Sequence, residues 1–338
     1  MEPTSPPPHA RMMQLVSGRF ISHAVGVAAL YDWATRLAPG PLTADALAAR
    51  SGVHAGAAHR LLRALASVGV FAEGPDGTFA NTPLSETLRS DVPGSLRSLA
   101  LFFNHDAHVK SWLGLAHSVR TGASGVEHVH GRPVWDLLAA DEGLAKTFND
   151  AMTALSDQTA RAILEAFDFG GIGELADVGG GHGFLLGAIL AAHPALHGVL
   201  FDLPPVVAGA GAVLRSLGVA DRTRVVGGDF FAEVPAADAY LLHHILHDWS
   251  DADAARILAT IRRAAKPGAR VLVAEAILRP GNEPDFAKFL DLEMLVFTTG
   301  GLERTESAWR ALLEGAGFQL ARVVPTRSMV SVIEARPV

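Results

Sequence analysis

Cysteine is absent from all 338 residues of the chain. Without thiols, neither a disulfide framework nor a thiolate metal site can form, so a hydrophobic core must carry the fold. Apolar runs of membrane-spanning length, which need about 20 residues, are also lacking. The proline-rich start is not typical of a secretory signal. We therefore expect a soluble, cytoplasmic protein with no membrane partner.

Positive charge is in short supply as well. The chain has 28 lysines and arginines against 35 aspartates and glutamates, which gives a formal net charge of −7. Proteins that bind the phosphate backbone of a nucleic acid need a basic surface. The composition thus disfavours a nucleic-acid partner. The length indicates about two domains, and the apolar fraction of 49% is ample for their cores.

What the chain does have is a glycine cluster directly after a short apolar stretch. Residues 175–184 read LADVGGGHGF, and an apolar helical run follows them. A strand, a tight turn and a helix in this order form the first βα unit of an open parallel sheet. Gly179, Gly181 and Gly183 do not match the dinucleotide fingerprint, and no Walker lysine follows. Unless these glycines serve packing alone, they predict a nucleoside cofactor without a pyrophosphate, bound at the helix N-terminus.

Acidic residues end the next two predicted strands. Asp202 follows an apolar run and precedes a leucine and a proline pair. Its carboxylate can accept both ribose hydroxyls of a nucleoside, or it can cap the helix that starts near Pro204. Further on, Asp229 and Phe230 offer an acceptor and a ring that suit an adenine. We predict that the cofactor contacts Asp177, Gly179, Gly181, Gly183, Asp202, Leu203, Asp229 and Phe230.

These motifs, taken in their order, carry a family resemblance. The sequences DVGGGHG (177–183), FDLP (201–204), GGDFF (227–231) and HDWSD (247–251) resemble those of class I S-adenosylmethionine-dependent methyltransferases. More narrowly, nearly the whole chain resembles the small-molecule O-methyltransferases typified by plant caffeate and flavonoid enzymes, hydroxyindole O-methyltransferase and bacterial polyketide O-methyltransferases. The resemblance implies S-adenosyl-L-methionine as the cofactor, a small aromatic acceptor and a homodimer.

The second half of the chain is predicted to form a doubly wound, Rossmann-like α/β sheet, as in the resembled class. Seven strands are predicted near 175–179, 198–203, 223–228, 238–246, 269–277, 317–325 and 329–335. The last two should be antiparallel, and the cofactor should lie at the carboxyl ends of the first strands. We place the S-adenosylmethionine-binding domain at 169–338, after a glycine-rich boundary.

The first half is predicted to be helical. Residues 1–10 are predicted to be a disordered tail, and 11–168 a winged-helix domain that serves dimerisation and forms a wall of the acceptor site. The apolar stretch 12–37 predicts a helix in a dimer interface, or else an ordinary core helix. Two helices and a hairpin over 43–81 fit a winged helix. A DNA-binding role is disfavoured, because four arginines and four acidic residues balance over 43–90.

A histidine after the fourth predicted strand suits the expected chemistry. A phenol with a pKa near 10 is ionised in only about one molecule in a thousand at pH 7, and a positioned base offsets this cost of roughly 4 kcal/mol. His247 leaves the sheet at the expected cofactor edge, and histidine titrates near neutral pH. Glu275, near the end of the fifth strand, is expected to orient it. The resemblance identifies Glu303 as a second acid, which we expect to matter less. It also puts His243 where relatives place a lysine near the adenosyl group, which leaves that contact open.

The histidine cluster also admits a metal site. His243 and His247 lie four positions apart, a spacing that binds zinc on a helix. This segment is predicted to be a strand, however, and it lacks the glutamate of the H-E-x-x-H motif. The sequence also offers no carboxylate cluster like that of catechol-type methyltransferases. We therefore expect no metal site and no requirement for a divalent metal.

Residues of the helical half are candidates for the acceptor wall. Phe148 and Met152 are four positions apart and share a helix face. They match a Phe-Asn-x-x-Met segment that lies near cofactor and acceptor in the resembled family; the alternative is that they are ordinary core. Asn104 is a weaker substrate candidate, and Asp248 is expected to contact the substrate beside His247.

Three functions fit these observations. The preferred one is an S-adenosylmethionine-dependent O-methyltransferase that acts on an aromatic hydroxyl of a secondary metabolite. The second is a relative that keeps the cofactor but performs a hydroxylation or decarboxylation, against which His247 and its two acids argue. The third is a ligand-responsive winged-helix regulator, which the balanced charge disfavours.

Overall fold

The computed structural model describes residues 6–338, which divide into two compact units at Asp106 and Ala107. The first unit has seven helices among its described residues: α1 (Pro8–Val16), α2 (Gly18–Leu30), α3 (Trp33–Leu37), α4 (Ala44–Ser51), α5 (Ala55–Ala66), α6 (Pro83–Glu86) and α7 (Arg97–Phe103). Its strands are β1 (Leu42–Thr43), β2 (Phe71–Glu73) and β3 (Thr78–Asn81), which form an antiparallel sheet in the order β1-β3-β2.

The helices and hairpin expected of the winged helix are present. Thr43 begins α4, because its Oγ1 accepts a hydrogen bond from the Ala46 N–H at 3.2 Å. The turn between β2 and β3 contains Gly77 with φ of 74°, a conformation that favours glycine. Leu47, Leu62 and Phe79 are wholly buried and join these elements in one core.

The apolar stretch 12–37 differs from the expected single helix. It is divided into α1, α2 and α3 by Ser17 and by Asp32, whose φ is 53°. Helix α1 already begins at Pro8, so the predicted disordered tail is helical from that residue, while residues 1–5 lie outside the described part of the chain. Proline is favoured at a first helical position, which accounts for this early start.

The second unit alternates helices and strands. The helices of this unit are α8 (Asp106–Trp112), α9 (Leu115–Thr121), α10 (Gly125–His130), α11 (Val134–Ala140), α12 (Glu142–Ala166), α13 (Phe184–Ala192), α14 (Pro204–Val207), α15 (Ala210–Ser216), α16 (Asp251–Ala264), α17 (Ala287–Phe297) and α18 (Glu306–Gly315). The strands are β4 (Glu174–Val178), β5 (His197–Asp202), β6 (Thr223–Gly227), β7 (Ala239–His243), β8 (Arg270–Glu275), β9 (Phe318–Pro325) and β10 (Ser331–Pro337).

These seven strands form one sheet and confirm the predicted fold class. Their order is β6-β5-β4-β7-β8-β10-β9, and β10 runs antiparallel to both β8 and β9. The strand order reverses between β4 and β7, and ligands bind at such a switch point in open α/β sheets. The central strands are mostly apolar because both faces of the sheet are covered.

The division at Asp106 differs from the domain boundary expected near residue 168. Helix α12 shares a hydrophobic core with α13: Ala160 and Ile163 pack in the same cluster as Leu185 and Leu186. Helices α8 to α12 therefore belong to the unit that contains the sheet. None of the helices described between residues 6 and 338 combines the length and the apolar character that a membrane span requires.

Candidate active site

The glycine loop after β4 forms a cradle of bare backbone. Gly179, Gly181 and Gly183 have φ of 75°, 59° and 78°, which side chains rarely adopt. A Cβ on Gly179 would also collide with Ile245, which follows β7. The sequence thus needs glycine here for both conformation and close approach.

Asp202, at the end of β5, holds this loop. Its Oδ2 accepts a hydrogen bond from the Gly181 N–H at 2.8 Å, and its Oδ1 accepts one from the Leu203 N–H at 2.7 Å. Burial raises the pKa of Asp202, and the N–H donors oppose that rise. Asp177, buried at the end of β4, has a pKa raised to about 7 by burial and by the charge of Asp202.

This cradle fits a nucleoside. Each Asp202 oxygen accepts one backbone N–H, and a carboxylate offers about four acceptor positions, so capacity remains for two ribose hydroxyls. The bare glycine backbone leaves room for close approach of a ligand. The alternative role of Asp202, as an N-cap of the following helix, is wrong. Helix α14 has no side-chain hydrogen bond that caps its first turn.

A row of aromatic rings leads from the end of β6 to α12. Phe230 meets Trp249 edge-on at 5.8 Å between ring centroids, Trp249 stacks on Trp135 at 5.8 Å, and Trp135 meets Phe148 edge-on at 6.1 Å. The row thus joins a predicted cofactor residue to a predicted acceptor residue. Asp229 lies beside it, partly engaged by the Phe231 N–H at 2.8 Å. Sequence reasoning gave Trp135 and Trp249 no role, although Trp249 stands two residues after His247.

His247 lies in a short 3-10 turn, Leu246–Asp248, rather than at the end of a longer strand. Strand β7 ends at His243, and His244, with φ of 54°, turns the chain. The His247 ring is buried, with its Nδ1 2.6 Å from Glu303 Oε1 and 3.5 Å from Glu275 Oε2. Glu303 is therefore the closer partner of the imidazole. The precedence expected for Glu275 from the sequence stays a prediction.

Glu275 has a different task in the structure. Its Oε1 accepts hydrogen bonds from the backbone N–H groups of Ile245 at 2.9 Å and of His247 at 3.4 Å. It therefore fastens the backbone of the turn that carries His247. Glu303 comes from the loop after α17, where Asp291 Oδ1 accepts its backbone N–H at 2.9 Å.

A buried arginine joins the two segments. Arg304 is 1% exposed, and its guanidinium donates to Leu246 O at 2.8 Å, Trp249 O at 2.9 Å and Asp251 Oδ1 at 2.8 Å. It thus holds the 3-10 turn at both ends while its neighbour Glu303 contacts the imidazole. Nothing in the sequence singled out this residue.

Neighbouring histidines differ sharply in charge. Burial alone would lower the pKa of His247, but the carboxylates of Glu275 and Glu303 outweigh burial and raise it to about 10. Burial lowers the pKa of His243 to about 3 and that of His244 well below its usual value. Burial also raises the pKa of Asp248, whose Oδ1 lies 3.7 Å from His247 Nε2, to about 6.

Helix α12 reaches both parts of the site. Thr153 Oγ1 lies 3.2 Å from His182 Nδ1 in the glycine loop, and Thr159 Oγ1 lies 3.0 Å from His243 Nε2. Met152 precedes Thr153 on this helix and is half-buried. These threonine contacts were missed, because the sequence gives no sign of which strand ends face the helix.

Asn104 is the one predicted site residue in the other compact unit. Its Oδ1 lies 3.0 Å from His23 Nδ1, and its Nδ2 donates to Ala100 O at 2.9 Å. Both contacts hold α7 to α2 within that unit. The structure therefore gives Asn104 a local structural role, and its predicted part in the substrate site remains untested.

The glycine cradle, the acid at the end of β5 and the buried histidine–glutamate pair beyond β7 suit a methyltransferase of the doubly wound, nucleoside-binding class. Residues 112–319 match the O-methyltransferase domain, and residues 13–91 match the O-methyltransferase dimerisation domain. The chain belongs to this family, and it is an S-adenosylmethionine-dependent O-methyltransferase.

Relatives along the whole chain agree. A phenazine O-methyltransferase of Lysobacter antibioticus is 40% identical, over 97% of this chain and 96% of the relative. The structure of human N-acetylserotonin methyltransferase with S-adenosylmethionine superimposes with a TM-score of 0.91 at 28% identity, and covers 100% of this chain and 99% of that one. The structure of an O-methyltransferase from neocarzinostatin biosynthesis, crystallised with S-adenosylmethionine and 2-hydroxy-5-methyl naphthoic acid, superimposes with a TM-score of 0.79 at 34% identity. The match covers 94% of this chain and 96% of that one.

Proposed function

We propose that this enzyme methylates a phenolic hydroxyl of a small aromatic secondary metabolite, with His247 as the general base. The observation that carries the proposal is the 2.6 Å contact between His247 Nδ1 and Glu303 Oε1. His247 follows β7, at the same edge of the sheet as the glycine loop that follows β4. A buried imidazole held by a carboxylate is a suitable proton acceptor for a hydroxyl.

The cofactor would be held by the cradle. The backbone of Gly179, Gly181 and Gly183 would line it, Asp202 would accept the ribose hydroxyls, and Asp229 and Phe230 would contact the adenine. When bound, S-adenosylmethionine supplies an electrophilic methyl group. His243 is turned toward Thr159, so we assign it an indirect part through α12.

The proton passes to the free nitrogen of His247. Because Nδ1 faces Glu303, the neutral ring donates Nδ1–H to that carboxylate and keeps its lone pair on Nε2. Nε2 accepts the proton of the acceptor hydroxyl, and Glu275 and Glu303 stabilise the resulting imidazolium. The His247 pKa of about 10 equals the usual phenol value of about 10, so the transfer itself is nearly balanced in free energy.

The same pKa has a consequence for the resting enzyme. With a pKa of about 10, His247 is protonated at neutral pH in the cofactor-free protein. Like charges disfavour protonation, so we expect binding of the cationic cofactor to promote loss of this proton to solvent. Asp248, beside Nε2, is positioned to contact the acceptor hydroxyl.

The acceptor class follows from the aromatic row. Trp135, Phe148 and Met152 present flat or polarisable apolar surface on α11 and α12, which suits an aromatic ring. A phenol, with a hydroxyl that needs deprotonation, uses both this wall and the base.

Methyl transfer from labelled S-adenosylmethionine to a panel of aromatic compounds tests the proposal. We expect label in phenols, no label in their pre-methylated ethers, and a kcat that is lower by roughly 10²–10⁴-fold in His247→Asn with little change in cofactor affinity. The deficit should shrink at high pH, where the phenol ionises unaided. Near-wild-type turnover of His247→Asn at neutral pH would refute the base, and cofactor-dependent oxidation or decarboxylation without label would support the second hypothesis.

We also infer that the enzyme is a homodimer. The matched dimerisation domain covers the end of α1 and all of α2, where Met13, Val16 and Phe20 are exposed in the single chain. Exposed apolar surface of this kind marks an interface between chains. Light scattering should give a mass of two chains for the wild type and of one chain for Phe20→Asp; a monomeric wild type would contradict the inference.

A further inference from the structure

Beside the predicted base, several buried polar atoms lack hydrogen-bond partners. Among the described residues these include both ring nitrogens of His244, Oε2 of Glu275 and Oε2 of Glu303. His244 is 8% exposed, Glu275 0% and Glu303 3%. An unsatisfied buried polar group is destabilising, so such a concentration points to a ligand.

The unpartnered atoms converge. One ligand atom from each of His244, His247 and Glu275 lies within 4.8 Å of the others. Glu275 Oε2 is 3.5 Å from His247 Nδ1 and 3.8 Å from His244 Nδ1. Ligands of a tetrahedral zinc ion, with bonds of about 2.0–2.2 Å, stand roughly 3.3–3.6 Å apart. The two measured pairs are thus already close to that spacing.

A fourth donor and the charge balance favour zinc in particular. Glu303 Oε1, 2.6 Å from His247 Nδ1, needs only a small withdrawal to become a ligand. Two neutral imidazoles and two carboxylates carry a total charge of −2, which balances the +2 charge of a divalent ion. This balance matters because the site is buried. Magnesium and calcium prefer all-oxygen ligands, whereas mixed nitrogen and oxygen donors are typical of zinc.

We propose that Zn²⁺ binds reversibly to His244, His247 and Glu275, with Glu303 as the fourth ligand, and thereby switches the enzyme off. The binding part stands on the geometry alone, while the inhibition rests on the proposed function of His247. The metal is an inhibitor and is not required for methyl transfer.

The inhibition follows from the tautomer. The ion takes the lone pair of His247 Nδ1, and the proton held there passes to solvent. The remaining ring proton must then lie on Nε2, which can no longer accept a proton from the acceptor hydroxyl. Glu303, as a ligand, is also withdrawn from its stabilising contact.

Metal titration of the intact enzyme tests the binding. Chelator-treated protein is titrated with Zn²⁺ against a chromophoric chelator, and with Co²⁺, whose four-coordinate complexes absorb visible light much more strongly than six-coordinate ones. We expect one tight Zn²⁺ site per chain, an intense Co²⁺ band that Zn²⁺ removes, and a loss of activity that follows occupancy and is reversed by EDTA.

Two neighbouring variants separate this site from adventitious surface binding. His244→Asn removes a ligand while keeping a residue that tolerates positive φ. His243→Asn is the matched control, since the His243 ring faces Thr159 instead. We expect Zn²⁺ affinity to fall at least roughly 100-fold in His244→Asn, because even outer partners of metal ligands are worth 10–100-fold, and to change less than threefold in His243→Asn.

Unchanged Zn²⁺ affinity in His244→Asn, or only weak multiple sites in the wild type, would overturn the proposal. A tight site in a protein that transfers no methyl group would uphold the site and refute the proposed function. If methyl transfer continues at the wild-type rate when Zn²⁺ saturates the tight site, both the inhibition and the role of His247 are refuted.

Discussion

At the scale of single residues, the two glutamates around His247 do different work. Glu303 contacts the imidazole, whereas Glu275 accepts backbone N–H groups of the turn. Both are buried, and burial raises the pKa of Glu275 against the opposing pull of the imidazolium. The difference in contact predicts a difference in kinetics.

We expect Glu303→Gln to lower kcat more than Glu275→Gln. A hydrogen bond to a charged group is worth about 1.5–3 kcal/mol, or roughly 10–150-fold in rate, when the imidazolium forms. Glutamine at 275 still offers a carbonyl oxygen to the turn, so that variant should retain more activity. Single-turnover rates with saturating cofactor measure both effects. A Glu275→Gln rate below that of Glu303→Gln would restore the order expected from sequence.

Asp202 carries the predicted ribose contact. Asp202→Ala removes the acceptor for the ribose hydroxyls and also frees the N–H groups of Gly181 and Leu203 that shape the cradle. We expect calorimetry to show a large loss of S-adenosylmethionine affinity. Asp229→Ala, at an exposed position of the same predicted cofactor site, should lose less. Equal affinity in Asp202→Ala and wild type would remove Asp202 from the site.

At the scale of elements, the site depends on loops that are joined by hydrogen bonds across the strand ends. The 3-10 turn after β7 and the loop after α17 meet through Arg304, which binds carbonyl groups at both ends of the turn. Arg304 touches none of the reacting groups, so it is a positioning residue for His247.

We expect Arg304→Lys to lower kcat with little change in KM for the acceptor. Lysine keeps the charge but cannot reach the Leu246 and Trp249 carbonyls together. Because His247 is then less firmly held near Glu303, the pH profile of kcat should also shift, which simple destabilisation would not cause. Asp251→Asn is the control, as its side chain meets Arg304 from the solvent side. An unchanged pH profile in Arg304→Lys would contradict the positioning role.

At the scale of the whole molecule, the buried cluster links folding stability to pH. The folded-state pKa of His247 is about 10, above the unfolded value of about 6.5. Its contribution is therefore fully present below pH 6.5 and is lost as the pH rises through 10. Burial also raises the pKa of Glu275, which acts in the same direction.

The thermal unfolding temperature of the cofactor-free wild type should consequently fall as the pH rises from 6.5 to 10. A variant with His247, Glu275 and Glu303 all changed to glutamine lacks the groups whose raised pKa values produce this dependence, and its slope over this range should be smaller. Scanning calorimetry on both proteins measures the difference. Equal slopes would show that the cluster does not take up protons on folding.

Much of the fold could be predicted because its signals are local. The strands at 174–178, 197–202 and 223–227 show as short apolar runs, and the sheet around them is confirmed. The helical stretch 12–37 was misjudged because apolar composition does not reveal a break such as the positive φ at Asp32. The division at Asp106 differs from the boundary expected near residue 168, because the packing of α12 on α13 is a contact that no local pattern reveals.

The amino-acid sequence by itself determined the glycine cradle, the acids that end the strands and the position of His247 along the chain. Residue type and spacing largely determine turn conformation and burial, so such features can be predicted from the sequence. Only the tertiary structure decided that Glu303 faces the imidazole, that Arg304 holds the turn and that His244 lies beside Glu275. Each of these contacts depends on how long-range hydrogen bonds position loops that are far apart in the sequence. No local sequence pattern specifies those positions.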